Sequence, residues 1–231
     1  MVEAGLTMEE ARGRLWVMDS KGLIVAGRDR VKPHAKLYAH AHPEAPTILD
    51  AVNALQPTVL IGATGQTGIF DKAVVEGMTA ANDRPVIFAL SNPTSRSEAT
   101  ASDVYQWSAG KAIFASGSPF DPVDVGGKTH VPGQSNNAYI FPGIGLGVSA
   151  CKISRVTDGM FLAAAGAVAS GVAQQALDQG LVFPALDGIR DVSLDIAIAI
   201  AELAFREGLA GIEPPGDLAA HIAEHMYCPG Y

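Results

Sequence analysis

Short apolar runs that end in glycine-rich or polar turns, with helical stretches between them, constrain this chain most. Leu15 to Met18 stops at Asp19, Ser20, Lys21 and Gly22. Val59 to Gly62 follows Pro57 and runs into GATGQTG. Pro85 to Leu90 enters the turn SNPT, and Ala112 to Ala115 ends in SGSPFDP. Four such β-rich runs separated by helical ones predict an α/β domain, Rossmann-like, with a mostly parallel sheet and helices on both faces. The reason is that parallel neighbours must be joined by crossovers that cover the sheet. The first run reads as a buried strand of that sheet, delivering Asp19 at its carboxyl end.

The intervening helices are predicted over Ile48 to Leu55, Asp71 to Ala81, and from Thr100 through Trp107, with Asp103 three residues inside a Thr100 cap. Met1 to Arg14 is charged and helix-like. Residues 28 to 47 read as irregular structure or a short helix, and 121 to 135 as a hairpin or loop. Beyond Asn136 helices are predicted at about Ala138 to Lys152, Asp158 to Leu177 and Leu194 to Glu207. In the last, Leu194, Ile198, Ala201 and Phe205 recur at helical spacing, as a face packed on the sheet. The organisation expected is one domain over 1–231, with a sheet-forming part at about 10–120 and carboxyl-terminal helices at about 136–207 packed on it.

At 231 residues and 48% hydrophobic, the chain can bury a substantial core. Its net charge of -8 disfavours nucleic acid or an anionic membrane as the main partner, since both are themselves negative. Cys151 and Cys228 are isolated, which suggests neither a disulfide framework nor a zinc site and fits a reducing compartment. The first residues lack the basic-then-apolar pattern of a signal peptide. The most apolar stretches, Ala138 to Ala150 and Met160 to Ala173, fall short of the roughly 20 residues that span a bilayer. A cytoplasmic protein is expected.

Candidate ligand groups sit at the ends of the predicted strands, where open parallel sheets bind ligands. Asp19 can accept from the hydroxyls of an adenosine ribose, or simply cap its turn. Ser20, Lys21 and Lys36, with Arg28 nearby, suit a ribose 2′-phosphate, although loop lysines are commonly just solvated. The glycines of GATGQTG are not spaced as a dinucleotide fingerprint or a Walker loop, yet Gly62 and Ala63 can let backbone approach a flat ring. Asn92 in SNPT can donate to a carboxylate and accept from a hydroxyl, or merely shape an Asn-Pro turn. Asn136 and Asn137, in PGQSNNAYIFPG, precede an apolar helix. Capping explains one asparagine but not both.

Taken together, MDSKGLIVAGR, LIGATGQTGIF, RPVIFALSNPTSRSEATASDVYQWSAGKAIFASGSPFDPV, PGQSNNAYIFPGIGLG, ACKISRVTDGMFLAAA and FPALDGIRDVSLDIAIAIA resemble consecutive blocks of the malic enzyme family, in order, from about residue 10 to 206. The SNPT and PGQSNN blocks disfavour an amino-acid dehydrogenase. The resemblance implies oxidative decarboxylation of malate to pyruvate and CO2. It implies NADP, with NAD as the possible substitute, as hydride acceptor, and Mg or Mn polarising the 2-hydroxyl. It places the residues matching Asn92 and Asn137 by substrate and nicotinamide, and the one matching Lys36 by the 2′-phosphate.

The departures are as informative. The family's catalytic tyrosine and lysine, its Glu-Asp-Asp metal ligands and its first glycine-rich loop match nothing here, so the fold is expected to lack its first strand and helix. The chain is then either a fragment of a longer enzyme, inactive without the amino-terminal half, or a non-catalytic remnant acting as a dinucleotide-binding or subunit-interaction module. Apolar sheet surface left open by the missing strand predicts self-association.

Overall fold

The structure is a computed structural model describing residues 1–228. In chain order its elements are α1 (Met8–Gly13), β1 (Met18–Asp19), β2 (Gly22–Leu23), α2 (Pro33–Lys36), α3 (Ile48–Leu55), β3 (Val59–Gly62), α4 (Lys72–Ala81), β4 (Val86–Ala89) and α5 (Ala101–Trp107). There follow β5 (Ile113–Ser116), β6 (Val123–Val125), β7 (Lys128–His130), β8 (Gly133–Gln134), α6 (Phe141–Cys151), α7 (Asp158–Ser170), α8 (Gln174–Asp178), α9 (Ile189–Arg206) and α10 (Leu218–Glu224). Helix starts follow local chemistry. Thr47 and Asp50 form a reciprocal capping box, Asp71 accepts from Val74 N–H, and Thr100 accepts from Asp103 N–H.

One four-stranded sheet runs in the order β3-β4-β5-β8, every pair parallel. Ile87, Ala89 and Phe114 point to the face covered by α4 and α5, where Val75, Met78 and Val104 are fully buried with them. The other face is covered unevenly. Phe88 meets Phe183, with ring centroids 5.9 Å apart, but on the outer strand β3 Val59 and Ile61 are 45% and 60% exposed.

The first apolar run is not part of this sheet, contrary to the sequence reading. Only Met18–Asp19 is strand, and it turns back antiparallel onto Gly22–Leu23. Closing a two-residue hairpin costs far less chain entropy than a distant pairing. Gly22 has φ +99° and packs so closely that a Cβ would lie 2.5 Å from the Ala45 carbonyl oxygen. The fourth strand of the sheet is instead β8, whose two residues are too few to show a periodicity. Residues 121–135 do contain the hairpin β6–β7 before it.

The carboxyl-terminal helices have a core of their own. The face of α9 that is buried carries Val192, Ile196, Ile200 and Ala204, and it packs on α6, α7 and α10 rather than on the sheet. Leu194, Ile198 and Phe205 are only partly buried beside it. Gly143 and Gly147, one turn apart on α6, make the close approach possible: a Cβ would fall 2.7 Å from Ile196 Cβ and 2.8 Å from Ile200 Cδ1. The long helix expected to reach Leu177 breaks at Gly171 into α7 and α8, and α10, capped by Asp217, lies beyond the predicted helices.

Candidate functional site

β4 runs on into Leu90, Ser91 and Asn92, and β5 into Gly117 and Ser118. Ser135 N–H donates to the Ser116 carbonyl, so the exit of β8 lies beside that of β5. These are the carboxyl ends of adjacent parallel strands. A cleft of about 420 Å³ opens there, bounded by Leu90 and Asn92, by Asn136 and Asn137, by Val168 of α7 and by Phe183. That is within the usual size of small-ligand sites, and its wall is apolar with a few amides.

The two asparagines separated in sequence therefore share one cleft. Asn92 Oδ1 accepts from Ser118 Oγ at 2.5 Å, which fixes the amide with its nitrogen free of partners among the described residues. Asn136 is the helix-turn cap. Its Oδ1 accepts from Ala138 N–H at 2.9 Å and its Nδ2 donates to the Gly117 carbonyl at 3.3 Å. Asn137 is exposed and has no side-chain hydrogen bond among the described residues. Capping thus accounts for Asn136 alone and leaves Asn137 available.

Tyr139 also lines the cleft, yet it is no acid or base there. Its hydroxyl donates to the Pro184 carbonyl at 2.6 Å, and burial pushes its pKa up. Among the described residues no carboxylate, lysine or histidine lines the cleft. Among the described residues no cluster of His, Cys, Asp and Glu could hold a metal ion, so the residues present do not fit the divalent metal.

The remaining predicted groups lie elsewhere. Asp19, Ser20, Lys21 and Lys36 do not line the cleft. Asp19 ends β1 of the small antiparallel hairpin, not a strand of the parallel sheet. Both its oxygens accept from Arg28 Nη2, and Lys21 N–H donates to it at 2.9 Å. Hydrogen bonding from Arg28 outweighs partial burial and holds its carboxyl below the ordinary value. Arg28 itself is spent on Asp19 and on the Gly22 and Leu23 carbonyls. Ser20, Lys21 and Lys36 are exposed, and none is in an ion pair among the described residues.

Gly62 has a packing reason of its own. A Cβ would meet Glu98 Cγ at 2.6 Å and Phe70 Cζ at 2.7 Å, so the missing side chain makes room for these two residues. Ala63, the next residue, is exposed at the strand end. Sequence reasoning missed Glu98 and Gly117, since neither a buried carboxylate in SRSEAT nor a close approach in SGSP leaves a local pattern.

A profile of the family described as "Malic enzyme, NAD binding domain" matches residues 1–205. The chain belongs to the malic enzyme family. It is 50% identical over 226 residues to an NADP-dependent malic enzyme of Phaseolus vulgaris, covering 97% of this chain and 38% of that protein. To a chloroplastic NADP-dependent malic enzyme of Oryza sativa it is 50% identical over 226 residues, covering 97% of this chain and 35% of that protein. The chain thus spans less than two-fifths of these relatives. The solved malic enzyme of Entamoeba histolytica superposes with a TM-score of 0.71 at 21% identity, over 96% of this chain and 42% of the other. That of Pyrococcus horikoshii gives 0.65 at 24% identity, over 88% and 43%. At such identities these two support the Rossmann-like fold.

Proposed function

We propose that this chain is the carboxyl-terminal, NADP-binding portion of an NADP-dependent malic enzyme that converts malate to pyruvate and CO2. The observation that carries the reading beyond family membership is the convergence of Asn92 and Asn137 on one cleft at the strand ends, with Asn92 Nδ2 and the Asn137 amide without partners among the described residues. When bound, the nicotinamide supplies the hydride acceptor. In this reading Asn92 Nδ2 donates to a carboxylate or carboxamide oxygen at the cleft, Asn137 completes the grip, and Asn136 holds the turn that presents it. Ser20, Lys21 and Lys36 serve the adenosine end as cationic and hydroxyl partners of the 2′-phosphate. Asp19 keeps acceptor capacity for the ribose despite its Arg28 contact, and Ala63 lies at the neighbouring strand end. Mg or Mn belongs to the complete protein. Both cysteines are free, in keeping with a reducing compartment such as the cytoplasm.

Among the described residues the cleft has neither a general acid nor a general base, and such groups each contribute about 100-fold to 10,000-fold. Titration calorimetry should therefore detect NADP binding to the 231-residue chain, while malate-dependent NADPH formation should be absent until the amino-terminal half is supplied. Absence of NADP binding, or turnover by the chain alone, would overturn this assignment. A second reading, a non-catalytic subunit-interaction module, has support from the exposed Val59 and Ile61 on β3, whose outer edge is unpaired among the described residues and suits a strand from the amino-terminal half or a second copy.

A further inference from the structure

Glu98 is fully buried, in the segment between the SNPT turn and α5. A buried carboxylate is costly unless donors surround it. Here they do. Oε1 accepts from Thr64 N–H and Thr64 Oγ1, each at 2.7 Å, and from Ser91 Oγ at 2.5 Å, while Oε2 accepts from Ser91 N–H at 3.2 Å. Ser91 Oγ in turn accepts from Gly65 N–H at 2.8 Å. The two loops are also joined outside the carboxylate, by Thr67 Oγ1 to the Ser95 carbonyl and Phe70 N–H to the Glu98 carbonyl. Those contacts already hold the loops near each other. What the carboxylate adds is a fixed orientation of Ser91, gripped at both its backbone N–H and its hydroxyl.

We propose that Glu98 is a positioning residue. By clamping Ser91 to the Thr64–Gly65 turn, it sets the direction of the next residue, Asn92, whose amide faces the cleft. The inference rests on the reading of that cleft as the nicotinamide and substrate end of a dinucleotide site. An apolar side chain would fill the same space without the burden of a buried charge, so packing alone does not account for a carboxylate here. The space is tightly shared, since the Glu98 stem occupies the position of a side chain on Gly62. Glu98→Gln keeps this shape. With its carbonyl at the Oε1 position it retains the Thr64 and Ser91 hydroxyl contacts, but its NH2 then faces Ser91 N–H, donor against donor. Glu98→Ala loses all four bonds.

The experiment compares the 231-residue chain with its Glu98→Gln and Glu98→Ala variants. Calorimetry measures binding of NADP and of 2′-phospho-ADP-ribose, which lacks the nicotinamide, and hydrogen exchange follows the amides. Glu98→Gln should weaken NADP about tenfold, the effect of one lost hydrogen bond, while 2′-phospho-ADP-ribose stays within about twofold. Glu98→Ala should weaken NADP further. Amides of Thr64, Gly65 and Ser91 should exchange faster in both variants, with those of Ile87 and Phe114 still slow. Equal losses for both ligands would reduce Glu98 to a structural role, and unchanged exchange at Thr64 and Ser91 would remove the clamp. If the unsubstituted chain binds neither ligand, the dinucleotide reading fails by itself, and the exchange pattern still decides whether Glu98 clamps the two turns.

Discussion

Gly117 stands where any side chain would collide with the amide of Asn92: a Cβ there would lie 2.8 Å from Asn92 Nδ2 and 2.9 Å from Oδ1. It would also lie 2.3 Å from the Leu90 carbonyl oxygen, which as backbone cannot swing aside. The strand ends of β4 and β5 thus approach each other at the one point where Asn92 is aimed. Gly117→Ala should cost about 1–3 kcal/mol of stability by overpacking and displace the Asn92 amide. Denaturant unfolding together with NADP titration checks both effects, and an unchanged unfolding midpoint would show that the approach is looser than the geometry says.

Cofactor choice should rest on Lys36, on the short helix α2. If its ammonium meets the 2′-phosphate, Lys36→Gln removes a charge-assisted contact worth about 1.5–3 kcal/mol. NADP should then weaken by roughly one to two powers of ten and NAD hardly at all. Parallel titrations with the two dinucleotides read the difference, and equal losses would return Lys36 to a solvated or structural role.

Glu98 predicts a pH dependence with a definite sign. Burial acts to raise its pKa, but hydrogen bonds from Ser91 and then from Thr64 outweigh it, leaving the value below the ordinary 4.5. A carboxyl depressed in the folded state contributes stability that is fully present above about pH 4.5 and lost as pH falls through the lower folded pKa. The stability gap between the parent chain and Glu98→Gln should be constant from pH 7 to about pH 5.5 and narrow below about pH 4.5. Asp19 and Glu10, also lowered, lose stability in the same direction, and the difference between the two proteins cancels their share. Melting curves across that range measure it, and a gap that does not change with pH would contradict an ionised Glu98.

The helical core depends on the contact between Ile200 and Gly147. Ile200→Ala removes a fully buried side chain and should cost about 2–5 kcal/mol, while Gly147→Ala should cost about 1–3 kcal/mol by pressing on Ile200. Because the two residues touch, the double substitution should cost less than the sum, the new methyl filling part of the space vacated. A double-mutant cycle by chemical denaturation tests this, and strict additivity would mean the helices are not in contact at that turn.

What the sequence determined by itself was local or depended on contiguous blocks. Thr100 with Asp103 announces a helix start, because a capping side chain bonds within three residues of itself. Apolar runs at Val59, Pro85 and Ala112 announce parallel strands, and ordered blocks from MDSKGLIVAGR onward announce the family. Tertiary structure decided whatever depended on distant partners. The run ending at Asp19 became a local hairpin because nearby closure was cheaper than pairing in the sheet, and the buried face of α9 turned to α6 because Gly143 and Gly147 admitted Ile196 and Ile200. Asn136 and Asn137 look alike in sequence, yet only their neighbours made one the cap and left the other open to the cleft. Glu98 and Gly117 matter through contacts with Thr64, Ser91 and Asn92 across a sheet edge, and no residue adjacent to them in the chain carries that information.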